Sequence, residues 1–147
     1  MAATFRLTLF KRILNRLVKV WVRLGLPPHK YHLLTVPGRN SGHLHSTPVS
    51  VMLMDGQRWL VCPYGQRAWV KNARAAGQVV LSRGFHSETV FVAEELDAEQ
   101  SAPVLQKYMK SEPITRKFFQ ATVGSPLQEF AAEAHRHPVF RVLEPGN

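Results

Sequence analysis

Two hydrophobic rhythms divide the chain. Across residues 5–24 the apolar positions Leu9, Ile13, Leu17, Val20 and Leu24 recur at helical spacing, widened by Phe10, Leu14, Val18 and Trp21. A period near 3.6 predicts an amphipathic helix with a broad apolar arc. Gly25 suits its C′ position, and Pro27-Pro28 prevents its continuation. The rhythm then shortens to two. Residues 31–36, 46–54 and 58–62 read as strands, with Asp55-Gly56 as a two-residue hairpin turn between the last two. In the second strand Val49, Val51 and Leu53 share one face, and Pro48, Met52 and Met54 share the other. Pro48 has no ladder donor, which predicts an edge or a bulge there.

The remaining elements follow from caps and breakers. Residues 68–76 read as a short helix closed by Gly77. Residues 79–82 and 89–93 are two more strands. Asp97 with Gln100 three positions on is a capping box, opening a helix that runs to about residue 109. Ser125 reads as an N-cap with Pro126 at the first helical position. A strand over 138–143 closes the chain. Six short, mostly antiparallel strands with peripheral helices predict an α+β fold around a small barrel. The division expected is residues 1–26 as a basic amphipathic helix and 27–147 as the barrel domain.

Charge changes this picture more than composition does. At 147 residues, 45% hydrophobic and 20% charged, the chain is an ordinary globular protein and not a disordered one. Cys62 is the single cysteine, so no internal disulfide forms and a reducing, cytoplasmic setting is expected. Net charge is +9, and no acidic residue precedes Asp55, whereas Arg6, Lys11, Arg12, Arg16, Lys19, Arg23, Lys30 and Arg39 all do. Such a distribution calls for an anionic partner: a phosphate ligand, a membrane surface or nucleic acid. Arg12, Arg16, Lys19 and Arg23 form one cationic stripe on the first helix. Its basic residues bar it from spanning a bilayer, and no cleavage site follows a clean apolar run. Three readings stay open: packing on the domain, peripheral attachment at the inner face of the plasma membrane, or a transit peptide. At an anionic surface each basic residue contributes roughly 1 kcal/mol, so the stripe gives reversible attachment at most.

The stretch Pro37-Gly38-Arg39-Asn40-Ser41-Gly42 is longer than a hairpin requires. If Gly38 and Gly42 take positive φ, successive backbone N–H groups can converge on an anion. Arg39 adds a forked cation, Asn40 an amide and Ser41 a hydroxyl. An ordinary solvated turn has the same composition, so the loop alone leaves both readings open.

The order LLTVPGRNSG…STPVSVML–DG–WLVCPYG…WVKNARAAGQVVL, over residues 33–82, resembles the coenzyme F420 (deazaflavin)-dependent nitroreductase and quinone reductase family. The basic helix and the closing HPVFRV add weaker support. The resemblance implies a split β-barrel of the FMN-binding, pyridoxamine-phosphate-oxidase-like type, often a homodimer, with the deazaflavin in a groove across it. It implies that Gly38, Arg39, Asn40, Ser41 and Gly42 hold the phosphate and acidic tail. Thr47, Pro48 and Val49 would lie against the ring system, and Trp69, Asn72 and Arg74 would cover the cofactor. Two features depart from the family pattern. Asn40 stands where a Lys or Arg is common, and the connection Tyr64-Gly65-Gln66-Arg67-Ala68 is short, with Arg67 placed to supply the absent cation. The C-terminal tyrosine cluster of the nitroreductases has no match; Tyr108, Phe118, Phe119 and Phe130 occupy that region.

A reduced deazaflavin carries a hydride and suits electron-poor acceptors: quinones, enones or nitro compounds. The protein's part is binding, alignment and exclusion of water. Tyr64, beside Gly65, is the expected proton donor, with a rim aromatic as the competing reading. His43 with His45, and His135 with His137, lack a third ligand nearby and read as surface histidines, so no metal site is expected. Cys62 reads as core, and Trp21 and Trp59 as packing residues. Three function classes follow: an F420-dependent reductase, a split-barrel protein that binds FMN or a lipid without F420 turnover, and a charge-driven membrane or nucleic-acid adaptor. The first is preferred, with a small apolar acceptor and no nucleic acid.

Overall fold

The computed structural model describes residues 9–27 and 30–143. Six strands, β1 (Tyr31–Pro37), β2 (Leu44–Met54), β3 (Gln57–Val61), β4 (Gln78–Arg83), β5 (His86–Glu95) and β6 (Val139–Leu143), close into a barrel in the order β1-β2-β3-β6-β5-β4. Every neighbouring pair is antiparallel. Alternation places Leu34, Val36, Val49, Val51, Leu60, Leu81, Val90 and Phe140 in the interior, which is sealed at one end by Val70 and Ala73 of α2 (Ala68–Ala76). A second apolar layer forms outside. Met52, Trp59, Val61 and Val139 turn outward and are covered by α3 (Ala98–Ser111) and α4 (Leu127–Glu133) through Leu105, Met109 and Phe130. The fold is the expected α+β barrel.

Pro48 sits where its missing donor does least harm. It pairs with Leu33 of β1, while β3 joins β2 only from Val51 onward, so the first half of β2 is free along one edge. Leu53 departs from the alternation: β2 has passed the barrel rim there, and the side chain is exposed. The hairpin between β4 and β5 is tighter than predicted. Arg83 pairs with His86 across Gly84 and Phe85, and Gly84 supplies the positive φ of 57°. Phe85 stands wholly in solvent.

The capping box of α3 is present, with Asp97 Oδ1 accepting from Gln100 N at 2.8 Å and Gln100 Oε1 accepting from Asp97 N at 3.2 Å. At α4 the cap lies one residue later than predicted. Pro126 is extended and occupies the N-cap position, while Ser125 Oγ accepts from Thr122 N at 2.8 Å and closes the preceding turn. A 3-10 turn over Pro113–Phe118, which no periodicity announces, links the two helices.

The first helix, α1, covers Leu9–Arg23; the predicted start at residue 5 lies outside the described residues. Gly25, with φ of 71°, closes it as expected. Its contact with the barrel is the reverse of the usual one. Val22 is fully buried, and Lys11, Asn15 and Lys19 on the same side are half-buried. Leu9, Ile13, Leu14, Leu17, Val20, Trp21 and Leu24 face solvent, Leu17 with 62% of its surface exposed. Trp21 is therefore not a packing residue; its indole N–H donates to Pro27 O at 3.0 Å. The helix does rest on β1, β2 and β4 through Val22, but most of its apolar arc is left exposed.

Candidate functional site

The loop after β1 and the start of α2 enclose a recess of about 490 Å³. Gly38, Arg39, Asn40 and Ser41 form one wall, His45, Ser46 and Thr47 of β2 the floor, and Arg67, Ala68, Trp69 and Asn72 the other wall. No acidic residue lines it.

The loop is built from the inside. Gly38 N donates to His43 O at 2.8 Å and Gly42 N to Gly38 O at 2.9 Å. Gly42 has φ of 74°, as expected of a residue that ends such a turn, but Gly38 does not take positive φ. Gly38 is glycine for room: a Cβ there would stand 2.8 Å from Ser41 Oγ and 3.2 Å from His45 Nε2. Asn72, buried on α2, ties the loop down. Its Oδ1 accepts from Arg39 N at 3.0 Å and from Arg39 Nη1 at 2.9 Å. Ser41 Oγ accepts from His43 N at 3.2 Å, which leaves the hydroxyl proton to be donated elsewhere. After these bonds the N–H groups of Asn40 and Ser41 have no partner among the described residues. The predicted anion nest thus shrinks to two adjacent donors.

The facing wall adds more of the same chemistry. Arg67 occupies the N-cap position of α2 without a side-chain cap, and Ala68 and Trp69, which carry the first N–H groups of the helix, line the recess. Trp69 leans on the barrel, its ring 6.1 Å from that of Phe140, so it both packs and lines. The recess gathers two guanidinium groups, uncommitted backbone donors and the hydroxyls of Ser41, Ser46 and Thr47. It is a site for phosphate and carboxylate groups.

Eight of the fourteen expected residues line this recess: Gly38, Arg39, Asn40, Ser41, Thr47, Arg67, Trp69 and Asn72. Gly42 closes the loop behind it. Pro48 lies one step along β2, and Val49 points into the barrel core. Arg74 faces away and forms a two-pronged ion pair with Glu95, at 2.5 and 2.7 Å, which raises its pKa. Tyr64 and Gly65 sit outside the lining. The Tyr64 ring meets Phe118 edge-on at 5.0 Å, and burial raises its hydroxyl pKa, with Glu112 adding to the effect. Tyr108, Phe119 and Phe130 are core residues.

Residues that the sequence did not single out also matter. His45, read as a surface histidine, lines the recess. His137 is the larger correction: it is buried, with Nε2 2.7 Å from Glu133 Oε1 and Nδ1 3.0 Å from Pro63 O, and its ring stacks on Phe119 at 3.9 Å. Burial lowers its pKa against the pull of Glu133. Glu133 in turn accepts from Gln120 N and Ala121 N. This pair holds Pro63, where the segment leading to Arg67 on the recess wall begins. A helical i, i+4 Glu-His spacing was the available signal. No group of three metal-ligating side chains occurs among the described residues.

The outward positions of β1 and β2 continue from the recess. Thr35 and Ser46 share a 2.8 Å bond, Leu33 and Pro48 follow, and Tyr31 and Ser50 end the strip. At that end buried Glu112 accepts from Ser50 Oγ at 2.7 Å and Tyr31 OH at 3.0 Å, and pairs with Lys30 at 3.0 Å. Burial and Glu112 push the Tyr31 hydroxyl up to about 12. Four residues of strand, roughly 13 Å, separate this polar cluster from the recess.

A family model for the F420H(2)-dependent quinone reductases matches residues 12–128. The chain belongs to that family. Coenzyme F420 is its cofactor, and the protein is an oxidoreductase. Among solved structures, an F420-H2 dependent reductase matches at 18% identity over 78% of this chain and 94% of its own, with a TM-score of 0.50. A protein from Listeria innocua provisionally assigned as a pyridoxamine 5′-phosphate oxidase matches at 13% identity over 87% and 92%, with a TM-score of 0.54. A domain-swapped dimer matches at 18% identity over 91% and 93%, with a TM-score of 0.52. At these identities the structures establish the split-barrel fold alone. No curated protein sequence matches the chain. The recess fits an F420 tail: its donors suit a phosphodiester and carboxylates, and it carries no opposing charge.

Proposed function

We propose that the protein uses F420H2 to reduce a lipid-soluble, electron-poor acceptor of the quinone class at an anionic membrane surface. The observation that carries this reading is the orientation of α1, whose apolar arc faces solvent while Arg12, Arg16 and Arg23 flank it. Exposed apolar surface on this scale needs a cover, and its basic margin suits anionic lipid. No helix among the described residues is long and apolar enough to cross a membrane, so the attachment proposed is peripheral. Residues 1–26 then serve attachment and 27–147 hold the cofactor.

In this reading Arg39, Asn40, Ser41 and Arg67, with the α2 N-terminus, bind the cofactor's anionic tail. Thr47 and Trp69 border its course, and Asn72 holds the loop in place. When bound, F420H2 supplies a hydride. The chain's own contribution is alignment, exclusion of water and a proton. Tyr64 keeps its proton under all ordinary conditions and is the donor we favour, with the Tyr31–Glu112 pair as a second source on the same barrel face. Enones and nitro compounds share the acceptor's electronic demand and belong to the same proposal. A homodimer is the competing cover for α1, and the domain-swapped neighbour makes it a concrete alternative.

The test is F420H2 oxidation by a vesicle-embedded quinone, with flotation and sedimentation of the full chain. The proposal requires binding that favours anionic over neutral vesicles, weakens with salt and is lost in an Ile13→Ser, Leu17→Ser double variant, with turnover lost in parallel. A full chain that stays in solution as a dimer, and reduces a water-soluble quinone equally well with or without vesicles, rejects it.

A further inference from the structure

We propose that the β4–β5 hairpin is a second membrane-insertion element, with Phe85 entering an anionic bilayer beside the C-terminal end of α1. The inference rests on the surface reading of α1 above and assigns a residue outside that helix to the same contact. Phe85 is at the tip of the hairpin and wholly exposed. Trp21 and Leu24 are exposed at the end of α1 that the hairpin meets. Two glycines bring the backbones together: a Cβ on Gly84 would stand 3.4 Å from Gly25 Cα, and a Cβ on Gly25 would stand 3.4 Å from Gly84 Cα. Leu24 and Phe85 are each one residue from this contact, so one apolar surface runs from the helix onto the hairpin tip.

The joint is fixed by polar bonds. Gly84 N donates to Val22 O at 3.2 Å, and Arg83 donates from Nη1 to Tyr31 O at 2.8 Å and from Nη2 to Leu26 O. The hairpin is therefore tied to both α1 and β1. Trp21 can enter lipid at little polar cost, because its indole N–H is already bonded to Pro27 O. Charge favours anionic lipid as the occupant. Arg12, Arg16 and Arg23 are exposed on α1, neither α1 nor residues 83–87 carry a carboxylate, and Glu88 is paired with Arg58. A helix lying alone on a surface leaves the tilt of its axis open. A second apolar point fixed to one end sets that tilt, and with it the orientation of the barrel.

Flotation of the full chain tests this, with vesicles of phosphatidylglycerol and phosphatidylcholine and with phosphatidylcholine alone. Phe85→Ser is expected to weaken binding to the anionic vesicles about tenfold, the lower range for burying one phenylalanine side chain. Its melting temperature, and its reduction of a water-soluble quinone without vesicles, should be unchanged. Phe85→Trp should keep the binding, and brominated lipid should quench the added indole, read as the difference from the unaltered protein. A Phe85→Ser variant that binds as tightly as the unaltered protein, or an added indole that brominated lipid does not quench, overturns the role of the hairpin. The reading of α1 then stands if Ile13→Ser, Leu17→Ser still abolishes binding. If the unaltered chain does not float with anionic vesicles at low salt, both are overturned. A dimer in solution that Phe85→Ser splits would, in that case, make the surface a contact between two copies.

Discussion

Replacing Asn72 by alanine separates two roles that a site residue can have. The side chain is buried, and its Oδ1 receives both Arg39 N–H at 3.0 Å and Arg39 Nη1 at 2.9 Å. The backbone bond contributes about 0.5–1.5 kcal/mol. The guanidinium bond is nominally stronger, but Arg39 is exposed and water competes, so no more than about 1 kcal/mol is assigned to it. Together they hold the loop by roughly 0.5–2.5 kcal/mol, equivalent to about 2- to 70-fold in its ordering. Tail binding requires the ordered loop, so Asn72→Ala should weaken F420 by up to that factor and leave the deazaflavin riboside, which has the ring but neither phosphate nor carboxylates, within about threefold. Hydrogen exchange gives an independent reading without ligand, because the Arg39 amide should lose its protection in the variant. If the riboside weakens as much as F420, or the Arg39 amide exchanges as before, Asn72 acts on the ring directly and the loop does not depend on it.

The two loop glycines should fail differently. Gly38→Ala forces the Ser41 hydroxyl and the His45 ring aside and should weaken F420 about 3- to 10-fold with little change in melting temperature. Gly42→Ala meets open space but strains the backbone at φ of 74°, costing about 1–2 kcal/mol and lowering the melting point by several degrees. Equal behaviour in both assays would refute the distinction. His137→Ala removes the buried imidazole that bonds Glu133, leaving that carboxylate with its two backbone donors, a loss of about 1–3 kcal/mol, or at least about 2 °C by calorimetry. A shift below about 2 °C would show that the pair is not an anchor.

Where local chemistry decides an element, the sequence was readable. Gly77 fixed the end of α2, and its predicted span of 68–76 is the observed one; the capping box placed α3 for the same reason. Alternation told inside from outside along β1 and β2 until Leu53, where strand length relative to the barrel rim, a tertiary quantity, took over. The site was half readable. Residue types in the Gly38–Gly42 loop pointed to anion binding, yet which donors remain free depends on Asn72, thirty-three residues away. Arg74 looked available on the helix but is claimed by Glu95 from a different strand. His45 and His137 were indistinguishable as exposed histidines, because burial and neighbours, not spacing, separate a recess wall from a core anchor. The exposed arc of α1 lay beyond reach for a related reason: amphipathicity tells which residues share a face, and not which face meets the barrel.

The central claim is that the carboxylate-free recess holds F420, and side-by-side binding titrations with F420 and FMN test it most directly. FMN carries one phosphate and no carboxylate tail, so a recess that spreads its donors over Arg39, Asn40, Ser41 and Arg67 should bind F420 at least about tenfold more tightly, one extra charge-assisted contact's worth. Arg39→Ala should remove most of that preference. FMN binding as tight as F420, or a preference that survives Arg39→Ala in a folded protein, would contradict the account.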